Sequence, residues 1–130
     1  MPVLIHGILI YVNSSSPYPQ TIPDIPFLDK VIHFFVYGLL GTLIFRAIRD
    51  KESASRQTYP MILGVIFAAL YGISDEIHQS FVPERVADMY DALADILGSI
   101  CGIWLYQYFI QRYYSSFPYD SHIDKIDNFI

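Results

Sequence analysis

The chain has 130 residues, 53% hydrophobic, 16% aromatic and only 16% charged, against roughly 25% charged in an average soluble domain. That is one domain's worth of chain with too few charges to cover a water-facing surface, so the composition points to a membrane protein. A net charge of −5 with eight Lys/Arg residues excludes the concentrated basic surface of a nucleic-acid binder, and a lone cysteine, Cys101, excludes an intramolecular disulfide or a cysteine metal cluster.

Residues 1–12 (MPVLIHGILIYV) are apolar but reach only about 18 Å as a helix, short of a hydrocarbon core of about 30 Å. They read as a shortened first span; either the bilayer thins there or the start of the chain is missing. A cleaved signal peptide fits less well, because neither a basic n-region nor an Ala-x-Ala-type site accompanies the run. Residues 13–28, rich in Ser and Pro, read as a loop.

A second span covers 31–48, apolar apart from His33 and Arg46. The stretch 46–58 after it carries four of the eight Lys/Arg residues, which the positive-inside rule places in the cytoplasm. A third span, 59–82, opens with Pro60, suited to a first helical turn, and turns polar from Ser74. The short loop 83–90 leads to a fourth span, 91–111, which opens on Asp91 and Asp95 and carries Trp104, Tyr106 and Tyr108 as an interfacial belt. Residues 113–130 read as an interfacial or disordered tail. The predicted fold class is therefore all-α: a polytopic transmembrane helix bundle of about four spans, one domain over 1–130. Loops 13–28 and 83–90 are expected outside and both termini in the cytoplasm.

Folding these spans antiparallel gathers the polar residues at one level, the outer end. Asp29, Lys30 and His33 open the second span, with Asp29 and His33 four apart on one face. Ser74, Asp75, Glu76, His78 and Gln79 close the third, with Asp75, His78 and Gln79 on a shared face. Arg85 and Asp88 follow in the loop, and Asp91 and Asp95, again four apart, open the fourth span. Small residues continue each stripe inward: Gly64, Ala68 and Gly72 in the third span, Gly98 and Gly102 in the fourth, and Gly41, after Tyr37, below His33 in the second. Small side chains permit the close helix contact that packing in lipid requires. Taken singly, Asp29 and Asp91 read as helix N-terminal residues favoured by the macrodipole, and each His as an interhelical hydrogen-bonding group. Their number shifts the reading, because ionisable groups in or beside a membrane are costly and mark functional sites. Asp75, His78 and Asp95 are expected to face one another across the third and fourth spans, with His78, Lys30 or Arg85 as partners of the carboxylates.

Asp29-Lys30-x-x-His33 followed by Tyr37 and Gly38, then the run from Tyr71 to Pro83 (YGISDEIHQSFVP), then Arg85, Asp91, Asp95, Gly98 and Gly102 together resemble the VanZ-like family of small polytopic membrane proteins. The resemblance covers roughly 25–108, and the middle motif is long and specific. Asp95 stands where many relatives carry Asn, which makes the pocket here more acidic. The resemblance implies a multi-pass protein of the bacterial plasma membrane, of the cell-envelope class; the family is named for a member associated with low-level resistance to the glycopeptide teicoplanin.

Three functions compete. The first is an envelope protein whose outward-facing pocket binds an amphiphilic ligand, such as a lipid-linked wall precursor or a lipoglycopeptide tail. Lys30 and Arg85 would then meet anionic head groups and the carboxylates would orient them. The pocket set is Asp29, Lys30, His33, Ser74, Asp75, Glu76, His78, Gln79, Arg85, Asp91 and Asp95, with no cofactor and no metal expected. The second is a membrane-embedded hydrolase acting on a lipid phosphate. It needs a metal held by some of His33, Asp75, His78, Asp91 and Asp95, or a His base oriented by a carboxylate; no Gly-x-Ser-x-Gly, His-Glu-x-x-His or phosphate-binding loop accompanies it. The third is a scaffold whose polar groups only satisfy one another.

Overall fold

The computed structural model describes residues 1–17, 25–49 and 57–116, with side chains to 112. Among these residues are four helices and no strand: α1 (Pro2–Ser14), α2 (Leu28–Ile48), α3 (Thr58–Gln79) and α4 (Met89–Ser116). At about 1.5 Å per residue, α2, α3 and the apolar part of α4, Met89–Arg112, each exceed the ~30 Å hydrocarbon core, whereas the 13 residues of α1 reach only about 20 Å. The protein is thus an all-helical membrane protein with three full-length candidate spans and a short first helix. Of the expected loops at 13–28 and 46–58, residues 18–24 and 50–56 lie outside the described residues, as does the expected tail beyond Ser116.

The helix boundaries follow local chemistry. α1 takes Pro2 in its first turn and α3 takes Pro60, positions whose N–H groups have no intrahelical partner anyway. α3 stops at Gln79, where the Ser80, Phe81 and Val82 N–H groups fold back onto the Glu76, His78 and Gln79 carbonyls and Pro83 bars continuation. α4 starts earlier than the apolar run suggests because Asp88 caps it: its Oδ1 accepts the Tyr90 N–H at 2.8 Å, one of the helix's orphan donors. Two non-glycine residues take left-handed backbone, Phe27 (φ 65°) just before α2 and Glu84 (φ 67°) in the α3–α4 turn. Each costs roughly 1–2 kcal/mol and lies beside the polar end of the bundle.

α2 and α4 make the most extensive contact and run parallel, His33 meeting Asp95 and, further along, Gly38 meeting Gly102, with α3 antiparallel to both, its last turn at Glu76 meeting His33. Their backbones meet at glycines: a Cβ on Gly98 would collide with the Phe34 carbonyl, one on Gly102 with the Gly38 carbonyl, and one on Gly41 would come within 2.7 Å of the Ser99 side chain. α1 lies along α2 and α3 with its C-terminal end at the polar side, tied by His6 Nε2 to the Val36 carbonyl at 3.0 Å and by the Tyr71 hydroxyl to the Gly7 carbonyl at 2.7 Å. Ile10 packs there with Tyr37, Leu40 and Ala68.

The molecule is inside out relative to a soluble bundle. Asp75, Glu76, Gln79, Asp91, Asp95 and Ser99 are buried, while Phe35, Phe67, Leu70, Leu97 and Trp104 are all more than half exposed. Water would penalise that apolar surface heavily, whereas lipid tails do not, and the interior then belongs to small and mutually bonded polar side chains.

Candidate functional site

Because α2 and α4 begin where α3 ends, the polar residues of all three gather at one end of the bundle. The outermost layer is built around Lys30. Its Nζ donates to Asp88 Oδ2 at 2.6 Å, Asp29 Oδ2 at 3.1 Å and Asp91 Oδ1 at 3.1 Å, which uses all three ammonium donors. Glu76 fixes the loop from the other side, its Oε2 accepting the Asp88 N–H at 2.8 Å. Asp88, in the loop, is thus a hub joining α2, α3 and α4.

The ammonium of Lys30, and after it the Tyr90 N–H, hold the Asp88 carboxyl below its ordinary value of 3.8. A lowered native value stabilises the fold above the unfolded value, and that contribution disappears as pH falls through the lower native one. Lys30→Met is therefore expected to move the Asp88 titration up towards 3.8, read by carboxyl carbon-13 NMR of Asp-labelled protein in detergent. An unmoved titration would show that Lys30 does not hold this loop.

One turn deeper, His33 Nδ1 lies 3.0 Å from Asp95 Oδ1 and 4.0 Å from Glu76 Oε1. Tyr37, almost fully buried, stacks on the His33 ring with centroids 5.9 Å apart and planes 10° from parallel, which fixes the imidazole plane. Gly72 of α3 faces the Asp95 carboxylate so closely that a Cβ there would collide with Oδ2. The small residue at 72 is thus what admits the carboxylate between the helices. Glu76 Oε1 and Asp95 Oδ2 are both buried and, among the described residues, without a hydrogen-bond partner.

Beside this layer a cavity of about 100 Å³ opens between α1, α2, α3 and the loop. Asn13, Ser14, Asp29, His33, Asp75, Gln79 and Arg85 supply its polar wall, and Ile10, Ile32, Val36 and Tyr37 its apolar one. Asp75 Oδ2 accepts from Gln79 Nε2 at 3.0 Å. Arg85 donates from Nε to the Ser16 carbonyl at 3.1 Å and from Nη2 to the Asn13 carbonyl at 3.2 Å, closing the rim over the end of α1. The Ser14 hydroxyl, 3% exposed, has no hydrogen-bond partner among the described residues.

Of the sequence-predicted residues, Asp29, His33, Asp75, Gln79 and Arg85 line the cavity, and Lys30, Glu76, Asp91 and Asp95 form the bonded layers next to it. Two expectations need correction. His78 does not face Asp95: its Nε2 is 3.0 Å from Ser15 Oγ and its ring lies on Tyr11 of α1, so the imidazole opposite Asp95 is His33. Asp75 bonds Gln79 rather than His78, Lys30 or Arg85. Ser74 is exposed and donates to the Tyr71 carbonyl at 2.7 Å, outside the cavity. Of the metal set drawn from the sequence, His33 and Asp95 come together at 3.0 Å, whereas Asp75, His78 and Asp91 have separate partners. Sequence reasoning left out of the pocket Asp88, Ser14 and Tyr37. Asp88 carried a usable signal, an Asp just before an apolar run; Ser14 carried none, because only the docking of α1 buries it.

The sequence profile of the VanZ/LLP1 family matches residues 3–111. An uncharacterized protein of Schizosaccharomyces pombe, C11E3.10, is 32% identical over 91 residues, covering 70% of this chain and 53% of that protein. The chain therefore spans about half the length of this curated relative, which comes from a yeast. No solved structure matches. The profile runs from the first turn of α1 to the end of the apolar part of α4 and takes in all three helix ends that carry the polar residues: the chain belongs to the VanZ/LLP1 family.

Proposed function

We propose that the chain is a cell-envelope membrane protein that holds the head group of an amphiphile in the cavity between α1, α2 and α3. The observation that carries this reading is the two-sided wall: Asp29, Asp75, Gln79, Arg85 and the Ser14 hydroxyl, unpartnered among the described residues, on one side, Ile10, Ile32 and Val36 on the other. Such a lining suits a ligand with a polar head and an apolar stem. Lys30 has no donor left for an anionic head group, so its place in the reading changes from ligand contact to clamp. With carboxylates on the wall, the preferred head carries amine or hydroxyl donors, as an aminated lipid or a sugar-bearing lipoglycopeptide does.

The test uses single-chain lipids as probes. Native mass spectrometry of the detergent-purified protein should detect retained lysophosphatidylethanolamine more strongly than lysophosphatidic acid, and teicoplanin is the lipoglycopeptide probe. Ile32→Trp, which fills the wall from a partly lipid-facing position, should weaken retention about tenfold, about 1.4 kcal/mol. Ile66→Trp on the outer face of α3 should leave it unchanged. Equal retention in both variants would remove the cavity from the reading.

The polar end lies outside in this proposal, because Arg46, Arg49 and Arg112 stand at the opposite ends of α2 and α4 and basic residues favour the cytoplasm. In a Cys101→Ala background, Glu84→Cys should react with an impermeant maleimide in intact bacterial cells and Ser55→Cys should not. The reverse pattern would overturn the topology.

A second reading, hydrolysis of a lipid phosphate, draws on the His33–Asp95 contact, which orients an imidazole in the cavity wall as a general base requires. Phosphate release from phosphatidic acid, present in the parent protein and lost in His33→Ala, would favour it over simple binding.

A further inference from the structure

We propose that His33, Glu76 and Asp95 form a binding site for one divalent transition-metal ion, Zn²⁺ or Mn²⁺, on the inner wall of the polar end. This goes beyond the binding reading above and does not depend on it. Three helices each contribute one donor: His33 from α2, Glu76 from α3 and Asp95 from α4, with donor atoms all within 4.8 Å of one another. An imidazole with two carboxylates is the donor set of borderline metals rather than of Mg²⁺ or Ca²⁺, which take oxygen ligands.

The distances fit with a small adjustment. Ligand atoms about 2.1 Å from a tetrahedral ion stand roughly 3.4 Å apart. His33 Nδ1 and Asp95 Oδ1 are already at 3.0 Å, and Glu76 Oε1 is at 4.0 Å from Nδ1, within reach of a rotation about the Glu side chain. The ion would take the place of the proton between Nδ1 and Oδ1.

An independent observation points to a cation. Glu76 and Asp95 are 7% and 1% exposed, and each keeps one buried carboxylate oxygen, Oε1 and Oδ2, with no hydrogen-bond partner among the described residues. Glu76 Oε1 is the very atom directed at His33. Unpaired carboxylate oxygens inside a membrane bundle are costly, and one imidazole cannot compensate two carboxylates. The neighbouring group Asp29, Asp88 and Asp91 shows the contrast, because the Lys30 ammonium already serves as its cation. Since His33 also lines the cavity, three protein ligands would leave a coordination position facing it, the arrangement of an open rather than a purely structural site.

The test is metal content. Full-length protein purified in detergent is stripped with chelator, offered ZnCl₂ or MnCl₂, desalted and measured by elemental analysis, with Co²⁺ absorption as a report of coordination. About one ion per chain is expected, with Co²⁺ bands in the visible region. Glu76→Gln and Asp95→Asn, which preserve shape, should each weaken retention at least tenfold while keeping the helical circular dichroism and melting temperature. Asp88→Asn, in the other acidic group, and Ile32→Trp, in the amphiphile wall, should leave it unchanged. No retained ion in the parent protein, or equal retention in Glu76→Gln and Asp95→Asn, would overturn the site; loss only in Asp88→Asn would move it to the outer group and equally overturn it.

Discussion

Gly98→Ala is expected to loosen the bundle at the α2–α4 seam, with a loss of about 3 kcal/mol or more of stability, at the upper end of what overpacking costs. The added methyl would meet the Phe34 carbonyl, a backbone atom that moves only if α2 itself moves. Gly102 opposes the Gly38 carbonyl and the Thr42 hydroxyl a turn further along, so the displacement cannot be absorbed by sliding. Gly7→Ala is the comparator: its methyl would sit 3.6 Å from the Tyr71 hydroxyl, an ordinary contact. Gly72→Ala should fall between them, because it meets the end of the Asp95 side chain and would push that carboxylate away from His33. The readout is thermal stability in detergent beside the level of folded protein in the membrane. Equal melting of Gly98→Ala and Gly7→Ala would show that the two helices are not held by backbone contact.

The architecture was legible because a bilayer sets a length: an apolar run of about 20 residues between polar turns is what a membrane-crossing helix requires and what a water-soluble helix rarely shows. The small-residue stripes at Gly64, Ala68 and Gly72 and at Gly98 and Gly102 were legible for a similar reason, since a period near 3.6 names a face without naming its neighbour. The neighbour is where sequence reasoning went astray. At about 100° per residue, His78 lies about 60° to one side of Asp75, while Gln79 and Glu76 lie about 40° and 100° to the other. Either side satisfies the spacing. Only the placement of α1 on the first side and of α2 and the loop before α4 on the second decides that His78 meets Ser15 and Tyr11 while Glu76 meets His33 and Asp88. The partners of Lys30 were hidden for the same reason: Asp29 is adjacent in sequence, but Asp88 and Asp91 come within reach only when α4 packs beside α2.

At Asp75 the expected results separate charge from hydrogen bonding. Its carboxylate is buried, lines the cavity and accepts from Gln79 Nε2 at 3.0 Å. Asp75→Ala strands the Gln79 amide, itself 6% exposed, and should cost about 1–3 kcal/mol of stability as well as ligand retention. Asp75→Asn keeps an oxygen for that amide, so stability should change by less than about 1 kcal/mol. The negative charge is gone, however, and retention of an amine-bearing probe such as lysophosphatidylethanolamine should fall about tenfold. His78→Ala, which sequence spacing alone would rank with Asp75, should now be mild, because the residue is half-buried against α1 and bonds one exposed hydroxyl. Asp95→Asn should also fold normally, since an amide oxygen still accepts from His33 Nδ1. Scoring membrane level and probe retention of all four variants under one promoter distinguishes the cases. Normal level with lost retention in Asp75→Asn assigns the carboxylate to the ligand. Full retention there, with loss of folded protein in Asp75→Ala alone, would make Asp75 a packing residue and leave the cavity without its acidic contact.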